Sequence, residues 1–350
     1  MERTIGRPGQ SGTGVFPQGR NRYEPFAFAP RPYGRRASAG GRFSGHGAGQ
    51  ACAALLRRLL RAGYSRRDDP APGLADCVAD IATLEPYYGG NLFKQGTELV
   101  ALQRGNLEMG NIAPQDISNQ IPAWSVLTSA YLFRDADHLR TFFDSDVGAE
   151  FKKMAEEQLG IHILGPTYFG ARQVGLRGDK EIKTPADMAG IKLRMPGGDA
   201  WQFLGTSLGA NPTPMAYAEV YTGLQTGAID GQDNPLPNVE NMKFYEVMDQ
   251  IVLTSHLVGF DLLVISKSAW DAMTPEQQAE FTTAATAAID FSQKAHLERE
   301  AALVEQFKGA GLAINTPDVD AFRAHAQKVY LDSDLAKDWP EGVVDKINAL

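Results

Sequence analysis

Cysteine is almost absent. The 350 residues hold two, Cys52 and Cys77, and everything beyond Cys77 is cysteine-free. Two cysteines make no disulfide framework and show no metal-ligand spacing, which excludes the disulfide-stapled and zinc-knuckle classes. A cysteine-free body suits an oxidising compartment. Long apolar runs are missing too. No stretch reaches the roughly 18 uncharged apolar residues that a membrane helix needs. The longest apolar neighbourhoods, such as Leu257–Ile265, are strand-sized and broken by Gly259 and Asp261. The N-terminus also lacks the basic start, apolar run and small-residue cleavage site of a recognisable signal peptide. Met1–Pro32 offers Gly, Pro, Arg and Phe without a run, and Ala51–Leu60 is interrupted by Arg57 and Arg58.

Lysine is missing from residues 1–67, which carry 13 Arg and two acids, Glu2 and Glu24, a net +11; the remaining residues must then carry −19 to reach the total of −8. The chain is therefore a basic extension on an acidic body of ordinary globular composition, long enough for two domains. No aromatic-interleaved stripe accompanies the arginines, so a nucleic-acid partner is not expected. Residues 1–50 are rich in Gly, Arg, Pro and Ser without a hydrophobic period, which predicts disorder. Ala51–Tyr64 has the spacing of a short helix. An Arg-only, Gly/Ala/Pro-rich stretch is also what a GC-rich gene yields when read out of frame. Residues 1–70 are accordingly expected to be a disordered or non-native extension.

Enzyme signatures are equally scarce. There is no G-x-S-x-G, no G-x-x-x-x-G-K-[ST], no H-E-x-x-H and no C-x-x-C. Gly45–Gln50 approaches a dinucleotide fingerprint but lacks the last glycine and follows no strand. Asp230–Asn234 has the look of a calcium loop with its alternating ligands and distal Glu out of place. His138 and His296 fall on helix faces, and His162 and His256 sit in strand-like segments without a partner at ligand spacing. Neither catalysis, cofactor nor metal is expected.

What is present is an alternation of β and α units from Thr83 onward. Phe93–Arg104 has a helical period, and Leu107–Ile112 reads as a strand. Asp146–Leu159 reads as an amphipathic helix stopped by Gly160, and Ile161–Phe169 and Gln173–Leu176 as two strands. Thr184-Pro185-Ala186-Asp187 opens one helical turn, Ile191–Arg194 is a strand, and Asp199–Leu208 and Ala218–Thr226 are helices, followed by a strand over Ala228–Asp230. Short Gly- or Pro-marked joints favour an α/β class with largely parallel sheets. Thr274-Pro275-Glu276-Gln277 is a capping box opening a helix to about Lys308. At 1.5 Å per residue, roughly 30 residues span about 45 Å, which suits a spine shared by two lobes.

Arginines stand at strand ends in this pattern. Arg172 lies where two strands meet, and Arg194 closes a strand before Met195-Pro196. Ligands of doubly wound sheets sit at the carboxyl ends of strands. An Arg fork there matches both oxygens of a carboxylate and cannot be titrated away. An ordinary surface arginine fits the spacing as well.

Several motifs in order bear on that choice: Gly190-Ile191-Lys192-Leu193-Arg194-Met195-Pro196, Asn211-Pro212-Thr213-Pro214-Met215, Glu219-Val220-Tyr221 and Leu224 through Leu236 with its Asp230-Gly231-Gln232-Asp233-Asn234-Pro235. Leu132-Phe133-Arg134, Gly170-Ala171-Arg172, Thr184–Met188 and Lys243–Val247 accompany them. Together they resemble the solute-binding receptors of tripartite ATP-independent periplasmic (TRAP) transporters, dicarboxylate-receptor type. The resemblance implies an α/β, two-lobe periplasmic-binding-protein-like fold with a hinge and a long spanning helix. It puts lobe I at residues 71–169 plus 258–298 and lobe II at 170–257 plus 299–350. It implies capture of a carboxylate-bearing organic acid, a sugar acid or C4-dicarboxylate, for an ion-gradient-driven TRAP permease by a periplasmic monomer. A ligand-sensing module of a signalling system is the alternative use of the same fold. By the resemblance Arg194 is the carboxylate clamp, Arg172 a second ligand-contacting arginine and Asn234 a brace. Asn211, Tyr217 and Trp201 lie near the site, with Tyr168 and Phe169 as aromatic walls and Gln115 in the lobe-I loop 111–115. Ala113-Pro114 stands where sialic-acid receptors carry an acid, which disfavours sialic acid. No strand is legible before Thr83, so lobe I is expected to lack its first strand and leave a sheet edge unpaired.

Overall fold

The computed structural model describes residues 74, 78–87 and 91–350, together with the backbone of strand 26–30. The helix expected at Ala51–Tyr64, both cysteines and the Gly45–Gln50 motif lie outside the described residues. In chain order the elements are β1 (Phe26–Pro30), β2 (Ala82–Pro86), α1 (Glu98–Gln103), β3 (Met109–Ile112), α2 (Pro114–Ser118), α3 (Ala136–Asp144) and α4 (Asp146–Leu159). There follow β4 (Ile161–Leu176), β5 (Lys192–Met195), α5 (Asp199–Ser207), β6 (Asn211–Pro214), α6 (Val220–Thr226), β7 (Gly231–Pro235) and α7 (Leu236–Asn241). The chain ends with β8 (Gln250–Ser266), α8 (Lys267–Asp271), α9 (Pro275–Gly309), β9 (Ala313–Asn315), α10 (Val319–Leu331) and α11 (Val343–Asn348).

The described strands form one sheet in the order β2-β1-β3-β8-β4-β7-β5-β6, with β9 beside β8. Two long strands make it continuous. β4 and β8 pair antiparallel from Ile161↔Ser266 to Leu176↔Gln250, with register shifts at Gly165, Gly170 and Val174. The sheet is therefore mixed, where largely parallel pairing was expected. Parallel pairing is confined to β5–β6, β5–β7 and β8–β9, because only there do helical crossovers return the chain in the same direction. Ile161–Leu176 is one strand where two were expected: Gly170, at φ 123, lets the backbone bend without breaking the ladder. The strand expected at Ala228–Asp230 lies at Gly231–Pro235.

Phe26–Pro30 is a strand, against the expected disorder of that stretch and the expected unpaired edge, and sits antiparallel between β2 and β3. Its Phe-Ala-Phe-Ala sequence has the strand period of two, a signal diluted by the Gly/Arg/Pro composition around it.

Four hydrophobic clusters cover the sheet. Two flank β3 and the far halves of β4 and β8: one around Trp124, Phe142, Phe143 and Phe260, the other around Met109, Phe281 and Ile289. Two flank β5–β7 and the near halves: one around Leu193, Leu204 and Tyr330, the other around Leu224, Phe244 and Phe307. α9 joins them. Thr274 caps it reciprocally with Gln277, and its 35 residues reach about 52 Å at 1.5 Å per residue. Phe281 and Ile289 enter a lobe-I cluster, and Leu303 and Phe307 a lobe-II cluster. Residues 299–350 were expected wholly in lobe II, yet Val343 and Ile347 of α11 are buried in a lobe-I cluster. Among the described residues no helix is long and apolar enough to cross a membrane.

Candidate functional site

The site lies where β4, β7 and β5 run side by side. β4 pairs β7 with Arg172↔Pro235 and Gln173↔Asn234, and β7 pairs β5 with Arg194↔Gln232. Two arginines thus flank one short strand, buried to 3% and 1% exposure. All five residues of β7 are buried although none is a strand former by type. Tertiary pairing holds them extended, which overrides local preference.

Each guanidinium has its own setting. Arg172 Nε donates to Asp233 Oδ2 (2.6 Å), and its Nη2 donates to Oδ1 (3.0 Å) and to the Asp233 carbonyl (2.7 Å). Its other side faces the Trp201 ring, 4.7 Å from the centroid. Arg194 Nε donates to the Met215 carbonyl (2.9 Å), and its guanidinium carbon is 5.8 Å from the Tyr217 ring centroid. Burial raises the Tyr217 phenol well above its ordinary range, while Arg194 and then Arg172 pull it back, so both charges reach the same side chain.

Behind Arg172 is a buried polar chain. His256 Nε2 lies 3.1 Å from Asp233 Oδ2, and His256 Nδ1 2.8 Å from Thr254 Oγ1. Burial alone would raise the Asp233 carboxyl, but the Arg172 charge and the His256 hydrogen bond hold it well below the usual carboxylate range. Burial lowers His256, with Asp233 opposing. A neutral imidazole donating from Nε2 and accepting the Thr254 hydroxyl at Nδ1 satisfies every partner. The backbone reason is a bulge: Arg172 pairs with Leu257 but Val174 with Val252, so Leu253–His256 loops out opposite Gln173. Ser255 takes φ 44 there. Gln173 Oε1 accepts from its backbone N–H (2.8 Å), and Tyr131 bonds the Thr254 carbonyl (2.9 Å). A bulge re-aims a side chain; this one turns His256 inward.

Of the residues expected at the site, the structure brings together Arg194, Arg172, Tyr217, Trp201 and Asn234. The Asn234 amide donates to Gln232 Oε1 (2.6 Å) and accepts from Asn238 (3.4 Å). Asn211 is not among them. It is exposed and pairs with Lys192, whereas Thr213 is the β6 residue opposite Arg194. Tyr168 is buried in a lobe-I cluster, and its hydroxyl donates to Glu300 of α9 (2.6 Å), which makes it a strut rather than a wall. Phe169 is half-buried, with its ring against Gly259. Gln115 is buried in α2, a helix in contact with α5, so the lobe-I loop does meet the lobe that carries the arginines. Ala113 of that loop packs on the lobe-II cluster.

Asp233, His256 and Thr254 were not expected. Asp233 stands inside the Asp230–Asn234 run with its misplaced calcium-loop ligands, and His256 has no partner at ligand spacing in the sequence. Alternating polar residues in a run otherwise bounded by core segments were the available signal. Among the described residues no group of His, Cys, Asp and Glu could hold a metal.

Known proteins are similar to this chain in sequence and fold. The sialic acid-binding periplasmic protein SiaP of Vibrio cholerae serotype O1 is 33% identical over 281 residues, 79% of this chain and 86% of that one. The 2,3-diketo-L-gulonate-binding periplasmic protein YiaO of Escherichia coli K12 is 32% identical over 239 residues, 68% of this chain and 72% of its own length. A crystal structure of a TRAP periplasmic solute-binding protein from Roseobacter denitrificans with bound 3-deoxy-D-manno-oct-2-ulosonic acid superposes with a TM-score of 0.79. It shares 46% identity and covers 81% of this chain and 96% of its own. The sequence model of bacterial extracellular solute-binding protein, family 7, matches residues 80–335, and the chain belongs to that family.

Proposed function

We propose that the protein is an extracytoplasmic receptor that captures a carboxylate-bearing organic acid, a sugar acid or C4-dicarboxylate, and hands it to a TRAP permease. The observation that carries this reading is the pair of buried arginines flanking β7 and converging on Tyr217. Burying guanidinium groups at strand ends is costly; Asp233 offsets part of that cost at Arg172, and a ligand carboxylate joining the two arginines would offset more. Arg194 takes the carboxylate and Arg172, oriented by Asp233 and stacked on Trp201, stands as second donor, with Tyr217 and Asn234 beside them. The lobes, 71–169 with 258–298 and 170–257 with 299–342, close around the ligand, and α11 belongs with the first lobe. The names of the relatives, whose ligands include a sialic acid, a diketogulonate and an octulosonic acid, support an anionic, oxygen-rich ligand.

The receptor works in the periplasm as a monomer and carries out no turnover. A thermal-shift screen of the full chain against organic acids, followed by calorimetric titration and product analysis, tests all of this. Stabilisation by an acid recovered unchanged is the expected result. Stabilisation by none, or conversion of the acid, overturns the reading.

A further inference from the structure

Ahead of α3 the chain passes between the two lobes, and one side chain there stands astride the bulge in β8. Ala130 is buried in the cluster of Leu193 and Tyr330, and Leu132 in that of Trp124 and Phe260, so Tyr131 between them sits at a joint. Its backbone N–H donates to the His256 carbonyl (2.8 Å) and its hydroxyl to the Thr254 carbonyl (2.9 Å). Ser255 is thus gripped from both sides. We propose that Tyr131 is a positioning residue: it pins the β8 bulge so that His256 faces Asp233, and Asp233 holds Arg172 in place for the ligand carboxylate. This inference rests on the receptor reading above and extends it to a residue that acts through others.

The backbone points to this role. Among the described residues, three that are not glycine take a positive φ: Tyr131 (φ 61), Lys243 (φ 57) and Ser255 (φ 44). Two of the three are the clamp and the residue it clamps. A Cβ makes the left-handed conformation costly, and such strain persists only where surrounding contacts over-determine it. Those contacts are present. Leu253–His256 has no partner in the β4 register, and the carbonyls of 254 and 256 turn to Tyr131. From β4, Gln173 Oε1 accepts from the Ser255 N–H (2.8 Å) and Gln173 Nε2 donates to the Ser255 hydroxyl (3.1 Å). Arg323 of α10 lies 5.5 Å from the Tyr131 ring centroid and holds the ring from its far side. Without the phenol oxygen, one of the two bonds that straddle Ser255 is gone, and Ser255 is freer to relax toward extended backbone. That relaxation turns the next side chain, and the next side chain is His256. Its Nε2 lies 3.1 Å from Asp233 Oδ2, the same oxygen that accepts from Arg172 Nε. A displaced imidazole therefore loosens the carboxylate that orients the guanidinium.

The test pairs a ligand-free readout with a titration, both on the full chain. Tyr131→Phe keeps the ring and removes the hydroxyl. It is made in three backgrounds: the parent; Ser255→Ala, which loses the serine hydroxyl but keeps the Cβ; and Ser255→Gly, which adopts a positive φ without penalty. NMR of the ligand-free protein reads the Arg172 Nε–H and His256 Nε2–H resonances. Both should move on Tyr131→Phe in the parent and in Ser255→Ala, and stay in place in Ser255→Gly. Calorimetric titration with 3-deoxy-D-manno-oct-2-ulosonic acid should follow the same pattern. Tyr131→Phe should weaken binding by about tenfold in the first two backgrounds, the upper range for one hydrogen bond, and by less than about threefold in Ser255→Gly. Rescue by glycine but not by alanine is what a merely structural tyrosine would not give. Resonances unmoved by Tyr131→Phe, or an equal shift and an equal loss in all three backgrounds, overturn the clamp. The resonances decide the clamp whether or not that acid binds; a parent that binds no organic acid overturns the receptor reading instead.

Discussion

Arg172 and Arg194 are the same residue type on the two strands either side of β7, yet the chain has arranged them for different work. Arg172 spends Nε and Nη2 on Asp233 and stacks on Trp201, so it is fixed before any ligand comes. Arg194 donates from Nε to the Met215 carbonyl, a contact that orients the fork without neutralising it. Truncating a buried charged partner costs roughly 2–5 kcal/mol. Arg194→Ala is therefore expected to weaken ligand binding by about a hundredfold or more, at about 1.4 kcal/mol per decade. Arg194→Lys should also bind poorly, because a point charge cannot reproduce the bidentate fork. Calorimetric titration showing parental affinity in Arg194→Ala would remove Arg194 from the site. Asp233→Asn tests the other half. It leaves Arg172 buried without its counter-charge and should lower unfolding free energy by about 3–5 kcal/mol, read from the denaturant midpoint; an unchanged midpoint refutes the pairing. The strand that carries Arg194 was legible in the sequence, but its spacing fits an ordinary surface arginine as well, and only the run of family motifs around it singled Arg194 out. The Asp233–His256 pair was not legible: the partners stand 23 residues apart, and only the bulge in β8 turns them face to face.

At the level of elements, local signals read well where local physics decides. The Thr274–Gln277 capping box and the Gly160 stop of α4, at φ 66, were legible because capping and left-handed glycine are short-range effects. β7 was misplaced by a few residues because Gly-Gln-Asp-Asn-Pro has no intrinsic strand preference and is held by its neighbours. β4 was split because Gly170 looks like a chain break when nothing shows that β8 runs alongside. At that crossing the two backbones nearly touch. A Cβ on Gly259 would lie 2.5 Å from the Gly170 carbonyl oxygen and 3.0 Å from the Phe169 ring. Glu300 of α9 braces the same point, accepting from the Tyr168 hydroxyl (2.6 Å) and the Ala171 amide (2.8 Å). Gly259→Ala must spread the strands or push the ring aside, and overpacking of this kind costs about 1–3 kcal/mol. Its urea midpoint should fall clearly below that of the parent, and a midpoint within error of it would show that the crossing has slack.

On the scale of the whole molecule, charge and connectivity set how it unfolds. Asp261, raised by burial to about 7, and the lowered Asp233 act in opposite pH ranges. A carboxyl whose folded pKa is raised favours the native state while protonated, and that contribution is lost as pH climbs through the folded value. Asp233, depressed, contributes above the ordinary Asp range and fails only on stronger acidification. His256, also depressed, weakens the fold as pH drops below the ordinary His value. A single substitution isolates one member: Asp261→Asn should melt above the parent at pH 8, and the gap should close toward pH 5, where Asp261 is protonated anyway. A gap independent of pH would deny Asp261 its buried charge. Connectivity then predicts the shape of the transition. β4 and β8 each run through both lobes, α9 packs on a cluster of each, and α11 carries the chain end back to the first lobe. Neither lobe can lose its core without unravelling strands that belong to the other. Calorimetric unfolding should therefore give one transition whose van't Hoff and calorimetric enthalpies agree. Ligand at a hundred times its Kd should raise it as a unit by about 5 °C or more, since about 2.7 kcal/mol of binding free energy is added to a domain of this size. Two resolved transitions, only one of them moved by ligand, would mean that the lobes fold independently and that the crossing strands act as linkers rather than as a shared frame.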